Sequence, residues 1–522
     1  MYRMLIVSIP LALSLGAAGP LSAQIEALRT APERTEWVET TRYAEAVAFL
    51  EAVAEAAPDA HLTRMGYTRE GRAIPLLVVG DLPDASPESV RASGRLRVYL
   101  QGNIHGGEVP GKEALLMLVR DLLLEERPRW LEDLVLLVAP IYNVDGNERV
   151  DLSNRPRQNG PLGGMGQRPN ADGLDLNRDH MKLDSPEARS LVAMLNAYDP
   201  EVAVDLHTTN GTRHAYHLTY SPALHPGTAL ELDQLLRGDA LPRITEEIRE
   251  TDGWEFSYSG HARRGSDGEV GWYTFDHRPR FNNHYVGLRN RVAILSEAYA
   301  YATFEDRVVA TRRFVEEILD WAAGSVGDIR SAIAAAEAPL AGSELPLRAT
   351  FEGSEELVEI LMGAVEELRH PYTGATILNR LDTTVVTPMR EYGSFAPTES
   401  ERVPSRYLIP EGAEDALDRL SSHGVRTSAL PTPLEIRGEV LRVDSVTLAP
   451  REFQARRERV LHGDWVAVDT VVAAGTHVLD TSQPLGRLAF YLLEPRSDDG
   501  FANWGILGDS IGAGSWPVLR ER

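Results

Sequence analysis

The chain has 522 residues, a formal net charge of −24 and no cysteine. The length calls for two or more domains, and so acidic a surface repels nucleic acid and anionic lipid. Without cysteine there is no disulfide and no thiolate metal site, so any metal must be held by His, Asp or Glu.

At the N-terminus Arg3 precedes an apolar run from Met4 to Ala18, and Leu21-Ser22-Ala23 supplies the small residues of a cleavage site. Residues 1–23 therefore read as a signal peptide, too short in its apolar part for a comfortable membrane span. The expected mature chain starts near Gln24, is periplasmic or secreted, and has no later membrane span. "YAEAVAFLEAVAEAAP" has helical spacing, and "HLTRMGYTREGRAIPLLVVG" reads as two strands turning at Glu70-Gly71. "RLRVYLQG" (95–102), "LVLLVAPI" (134–141), "EVAVDLH" and "RVAILSEAY" (291–299) are short buried strands. Between them, "GKEALLMLVRDLLLEE" puts Leu115, Leu118, Val119 and Leu122 on one helical face, and "SPEARSLVAMLNAY" is a helix capped by Ser185. This alternation predicts an α/β fold: a mixed, mainly parallel sheet with helices on both faces, over residues 24–325. Ligands of such sheets sit at the carboxyl ends of the strands. A helix running into a Pro/Gly/Ala linker (326–347) leads to a smaller, mostly β domain (348–522). Its strands are "LRATFEG", "TTVVTPM", "PSRYLIP", "GEVLRVDSVTLAP" and "AFYLLEP", with a helix in "EDALDRLSSHG".

Four short motifs carry chemistry. Of the 14 histidines, only His105 has a glutamate three residues on, Glu108, and the pair lies between a buried strand and a helix with Gly106-Gly107 inside it. His207 closes a second apolar strand in "VAVDLHTTNG". His214 and His217 form a competing pair, but strand alternation in "RHAYHLTY" sends them to opposite faces. In "GLDLNRDH", Asp175 can orient a ligand histidine, while Asn177 and Arg178 can grip a planar carboxylate. Glu297 ends the apolar run "AILSEAY", where desolvation raises a carboxyl pKa toward that of a general base.

His-x-x-Glu, Asp-x-Asn-Arg, a strand-end His and a buried Glu, in this order, resemble the zinc carboxypeptidase family. "APIYNVDGN" (139–147) is similar to that family's Asn-Pro-Asp-Gly turn with Val144 in place of proline, and "GYTREGRAIPLLVVG" to its early hairpin. The resemblance spans roughly residues 60 to 310. It implies a single zinc held by His105, Glu108 and His207, and Glu297 as general base and acid. It implies Asn177 and Arg178 as the grip on the terminal carboxylate of a peptide substrate. An arginine that polarises the scissile carbonyl is implied after the Asn-Val-Asp-Gly turn, Arg155 or Arg157, with Arg155 preferred. A tyrosine that caps the substrate is implied before Glu297, Tyr285 or Tyr273. Gly107 stands where many relatives carry arginine, and "NRDH" lacks their aromatic residue, so neither position indicates which substrate is taken. The expected activity is therefore that of an exported zinc carboxypeptidase. A deacylase of N-acyl amino acids or cell-wall peptides, and a silent binder of peptide termini, are the alternatives.

Overall fold

The computed structural model describes residues 28–124, 130–209, 211–265, 268–507 and 514–521. The signal-peptide reading of residues 1–23 lies outside them. The first ten strands are β1 (Ala60–Tyr67), β2 (Ala73–Val79), β3 (Leu96–Gly102), β4 (Leu134–Ala139), β5 (Val202–Thr208), β6 (Leu218–Ser221), β7 (Phe256–Tyr258), β8 (His261–Arg264), β9 (Val270–Tyr273) and β10 (Val292–Ala298). Eight of them form one mixed sheet in the order β1-β2-β4-β3-β5-β10-β6-β7. Its centre, β4-β3-β5-β10, is parallel throughout. Helices Tyr43–Ala56, Pro110–Leu124 and Phe304–Gly324 cover one face, and Pro186–Tyr198 and Asn282–Leu288 the other. With both faces covered, every residue of β4 and β5 is buried, which is why these strands read as unbroken apolar runs rather than as alternation.

Two features of this sheet place the site. From β3 the chain crosses to β4 on one side, and from β5 it goes on to β10 on the other, so the connections part between β3 and β5 and leave a crevice at their carboxyl ends. Register then decides which side chains face it. Glu297 of β10 is the parallel partner of His207 on β5, and Gln101 of β3 that of Asp205. Leu206 packs under the helix Pro110–Leu124, so close that a Cβ on Gly111 would lie 2.5 Å from its Cβ. Strand alternation therefore turns Asp205, His207 and Glu297 to the opposite face.

Residues 326–347 hold the helix Val326–Ala336, with Ile329, Ile333 and Ala336 buried, and the start of β11 (Glu344–Glu352). Beyond it follow β12 (Leu357–Arg369), β13 (Thr376–Tyr392), β14 (Ser394–Arg402), β15 (Arg406–Ile409), β16 (Ser428–Ala429), β17 (Leu434–Leu448) and β18 (Arg459–Val472). This part does not stand aside. One apolar cluster runs through both halves of the chain, from Ala46 to Val518, and β13 pairs with β9 over Arg390–Tyr392, making a sheet β12-β13-β9-β8. "AFYLLEP" departs from its expected strand, because Gly486–Leu493 is a helix buried at every position. An unbroken apolar run of that length carries neither the period of a strand nor that of a helix. Among the described residues no helix is long and apolar enough to cross a membrane.

Gly→Ala inside a helix ordinarily stabilises by up to about 1 kcal/mol. At Gly111 the contact with Leu206 reverses the sign, and Gly111→Ala is expected to destabilise by about 1–3 kcal/mol in thermal or denaturant unfolding.

Candidate metal centre and active site

After β3 the backbone turns sharply. Asn103 sits at φ 64° and its Nδ2 donates to the carbonyls of His105 (3.2 Å) and Gly106 (3.1 Å). The glycines that follow are required by contact. A Cβ on Gly106 would lie 2.3 Å from the carbonyl carbon of Gly146, and one on Gly107 would lie 2.5 Å from the carbonyl oxygen of Gly166. The loop is thus pressed against its neighbours, and Arg155 Cγ comes within 3.1 Å of the Cβ position at Gly107.

This turn brings His105 and Glu108 to His207. Glu108 Oε1 is 3.0 Å from His105 Nδ1, and Oε2 is 2.9 Å from His207 Nδ1. All three residues are buried, with ligand atoms within 4.8 Å of one another. The outer ring nitrogens are both engaged: His105 Nε2 lies 3.0 Å from Asp175 Oδ1, and His207 Nε2 2.9 Å from Asp205 Oδ2. A carboxylate on the far nitrogen fixes the tautomer and directs the other lone pair inward. His105 Nδ1, buried and without a hydrogen-bond partner, has that orientation. Burial holds the His105 imidazole well below its usual pKa, hence neutral, as a metal ligand must be. At His207 burial pushes down too, but the charge and hydrogen bond of Asp205, together with the charge of Glu297, outweigh it and the pKa is raised. Two inward-facing imidazoles and one carboxylate, with no fourth protein ligand among the described residues, are the donor set of a catalytic rather than a structural zinc site, and the residues fit the metal. Sequence reasoning missed Asp205, although its place two residues before His207 on one strand was the available signal. It also missed Gln101, whose Nε2 donates to Asp205 (2.9 Å) while its Oε1 accepts from Tyr99 Oη (2.8 Å).

Glu297 stands beside His207 with Oε2 lacking any hydrogen-bond partner. Burial raises its pKa, against the lowering effect of His207, Arg155 and Arg168. Arg155 reaches the site, but its guanidinium lies directly against Glu108. Arg157 is exposed, and its carbonyl accepts from Leu378 N at 2.9 Å. Arg168, which no motif marked, donates through Nε to Asp175 Oδ2 (2.9 Å) and brings NH1 to 3.6 Å from Glu108. Its side chain is 38% exposed against 12% for Arg155. Asn177 is buried, Oδ1 accepting from Asn282 N at 2.7 Å and Nδ2 lying 3.4 Å from His207 Nε2. The Arg178 guanidinium lies 3.8 Å from the Phe281 ring centroid, and burial pushes its pKa down to about 10 despite the opposing charge of Asp175. Among the described residues it forms no ion pair, so its charge is available to an anion.

The tyrosines correct the sequence reading. Tyr285 is fully buried, with its hydroxyl 2.7 Å from His423 Nδ1, and Tyr273, also buried, stacks on Tyr392 at 4.0 Å. Neither ring is open to a substrate. The competing histidines stay apart from the metal group: His214 packs on Tyr299 and His217 on Trp254.

Residues 46–210 match the zinc carboxypeptidase family model. Over this segment the chain resembles that family. Over 87% of the chain and 81% of the relative, it is 25% identical to "Carboxypeptidase 2" of Trichophyton tonsurans. "Carboxypeptidase N catalytic chain" of Mus musculus is 33% identical over 151 residues, 28% of this chain and 31% of that one. Among solved structures, a metallo-carboxypeptidase from Burkholderia cenocepacia covers 53% of this chain and 68% of its own, at 17% identity and a TM-score of 0.40. The matched carboxypeptidase segment contains His105, Glu108, Asn177, Arg178 and His207. Glu297 lies beyond it and joins the group through the pairing of β10 with β5. Asp205→Asn is expected to weaken zinc binding by about 10–100-fold, measured by chelator competition, with the fold retained by circular dichroism.

Proposed function

We propose that this chain is an exported zinc carboxypeptidase that removes the C-terminal residue of peptides, with Glu297 as general base and Arg178 as the clamp for the free carboxylate. The observation that carries the reading is a three-part convergence. The His105–Glu108–His207 group and a carboxylate with an unpartnered oxygen gather at the ends of β3, β5 and β10, and Arg178, free of ion pairs among the described residues, follows Asn177, whose Nδ2 lies 3.4 Å from His207 Nε2. The carboxypeptidase relatives, aligned over most of the chain, support it. The signal-like pattern of residues 1–23 supports export.

Zinc held by His105, Glu108 and His207 supplies Lewis acidity toward a carbonyl and lowers the pKa of water to about 7. The other steps belong to the chain. Arg178 binds the terminal carboxylate from its seat on Phe281, where partial desolvation strengthens the charge pairing. A chain interior has no carboxylate to offer it, so cleavage is confined to the last bond. Glu297 takes a proton from the water that adds to the scissile carbonyl carbon. As the C–N bond breaks it returns that proton to the leaving amine nitrogen, and its raised pKa suits the return. Of the two arginines at the ligands, Arg168 presents the exposed edge toward the oxygen on which charge develops. Arg155 orients Glu108 instead.

Glu297→Gln is expected to keep stoichiometric zinc and lose turnover by about 10²–10⁴-fold; near-normal hydrolysis removes Glu297 from the mechanism. Arg178→Ala is expected to cost about 1.5–3 kcal/mol in kcat/KM on free-carboxylate peptides and much less on amidated ones. Equal losses on both rule out the clamp. N-acyl amino acids and cell-wall peptides carry the same terminal carboxylate next to an amide. A panel of these beside ordinary peptides identifies the physiological class, and binding without turnover on every member would make the chain a silent binder.

A further inference from the structure

Asp175 is the hub of the site's polar framework. Its Oδ1 accepts from His105 Nε2 (3.0 Å) and from Asn177 N (2.9 Å), and its Oδ2 from Arg168 Nε (2.9 Å). The backbone of this hub is held from the other half of the chain: Asp175 N donates to Gln454 Oε1 at 2.8 Å. Gln454 belongs to the loop between β17 and β18, nearly 280 residues further on.

The loop is built to present this side chain. Phe453 and Arg456 bond each other reciprocally, N to O at 2.7 Å and 3.1 Å, closing a turn with Gln454 and Ala455 at its centre. Both central residues have positive φ, 52° and 59°. A turn with φ above zero at both central positions ordinarily takes Asn-Gly or Gly-Gly. A non-glycine residue is strained there, and such strain persists only where the surroundings over-determine it, which points to function. The surroundings are in place. Arg456 grips Asp184 by Nε and NH2, each at 2.6 Å, and Phe453 stacks on Trp504. Glycine at either central position would relieve the strain, but at position 454 it would remove the acceptor that faces Asp175.

We infer that Gln454 is a positioning residue of the metal centre, through which the C-terminal region fixes Asp175 and, by way of Asp175, the orientation of His105 and Arg168. The inference rests on the zinc reading given above. It makes the C-terminal region part of the site.

The test uses the full chain. Zinc dissociation constants of wild type, Gln454→Ala, Gln454→Gly and Gln454→Glu are measured by competition with a chromophoric chelator, beside the melting temperature of each metal-free protein. Gln454→Ala and Gln454→Gly are expected to bind zinc about tenfold more weakly or worse, the scale on which outer-shell partners act. Gln454→Gly should do so with an unchanged or higher melting temperature, since it relieves positive φ. Gln454→Glu, which keeps an acceptor of the same length, should retain wild-type affinity. Unchanged zinc affinity in the alanine and glycine variants overturns the inference. So does a loss of affinity that merely tracks a fall in melting temperature across the set. A wild-type chain that binds no zinc overturns the metal reading itself, and the inference with it.

Discussion

The pairing of β5 with β10 is the constraint on which the site depends. Parallel neighbours in register present their side chains to the same face, so His207 and Glu297, far apart in sequence, become adjacent with no loop needed to bring them together. Asp205 follows from the same geometry, because it lies two residues back on β5 and reaches the far nitrogen of His207 along the strand. Strands buried on both faces are the most rigid part of such a fold, so His207, Asp205 and the proposed base Glu297, built on them, keep their spacing. The less regular parts, His105 and Glu108, are delivered by a turn whose glycines are pressed against other loops, which limits its freedom by contact rather than by hydrogen-bonded regularity.

Electrostatics completes this arrangement. Glu108, Asp175, Asp205 and Glu297 gather in one buried region, and carboxylates left uncompensated there would cost several kcal/mol each. The chain answers with Arg155 on Glu108 and Arg168 on Asp175, while the imidazoles take the remaining contacts. A divalent cation among His105, Glu108 and His207 would add to the positive charge that Arg155 and Arg168 bring to Glu108. Arg178 is different in kind. It is held by Phe281 and a backbone carbonyl rather than by a carboxylate, so its charge is left for a ligand.

Much of this was legible from residue order because it depends on local pattern. Buried strands ending in His207 or Glu297, and a turn holding His105 and Glu108, are short-range features with a period or a punctuation. What was not legible depends on distance in space. Arg168 sits in a loop of no regular period, and only the folded loop sets it over Asp175. Tyr285 looked available because it precedes Glu297, yet it points into the core and meets His423 from the C-terminal half. "AFYLLEP" was read as a strand because five adjacent apolar residues satisfy any period. Of the long hairpin of β12 and β13 only "TTVVTPM", within β13, was read as a strand, and its pairing with β9 was not, since pairing partners are not written in either strand.

That pairing belongs to a wider pattern that bears on what the C-terminal half contributes. Arg280 is held through its backbone N and its Nε by Asp499, and through NH2 by Glu458. The next residue, Phe281, is the platform under Arg178, and the one after it, Asn282, donates its backbone N to Asn177. The C-terminal half therefore grips the segment that supports Arg178, the proposed carboxylate clamp, as well as the turn at Asp175. The anchor at Asp175 rests on the loop between β17 and β18, and the one at Arg280 on Glu458 of that loop and on Asp499, between the helices Gly486–Leu493 and Phe501–Trp504. A chain cut near residue 325 would keep the motifs that carry the family resemblance. It would expose much of a core that runs through both halves, and it would leave the clamp without the walls that hold it. The motifs specify the reaction, and the β-rich half specifies how firmly its parts are held.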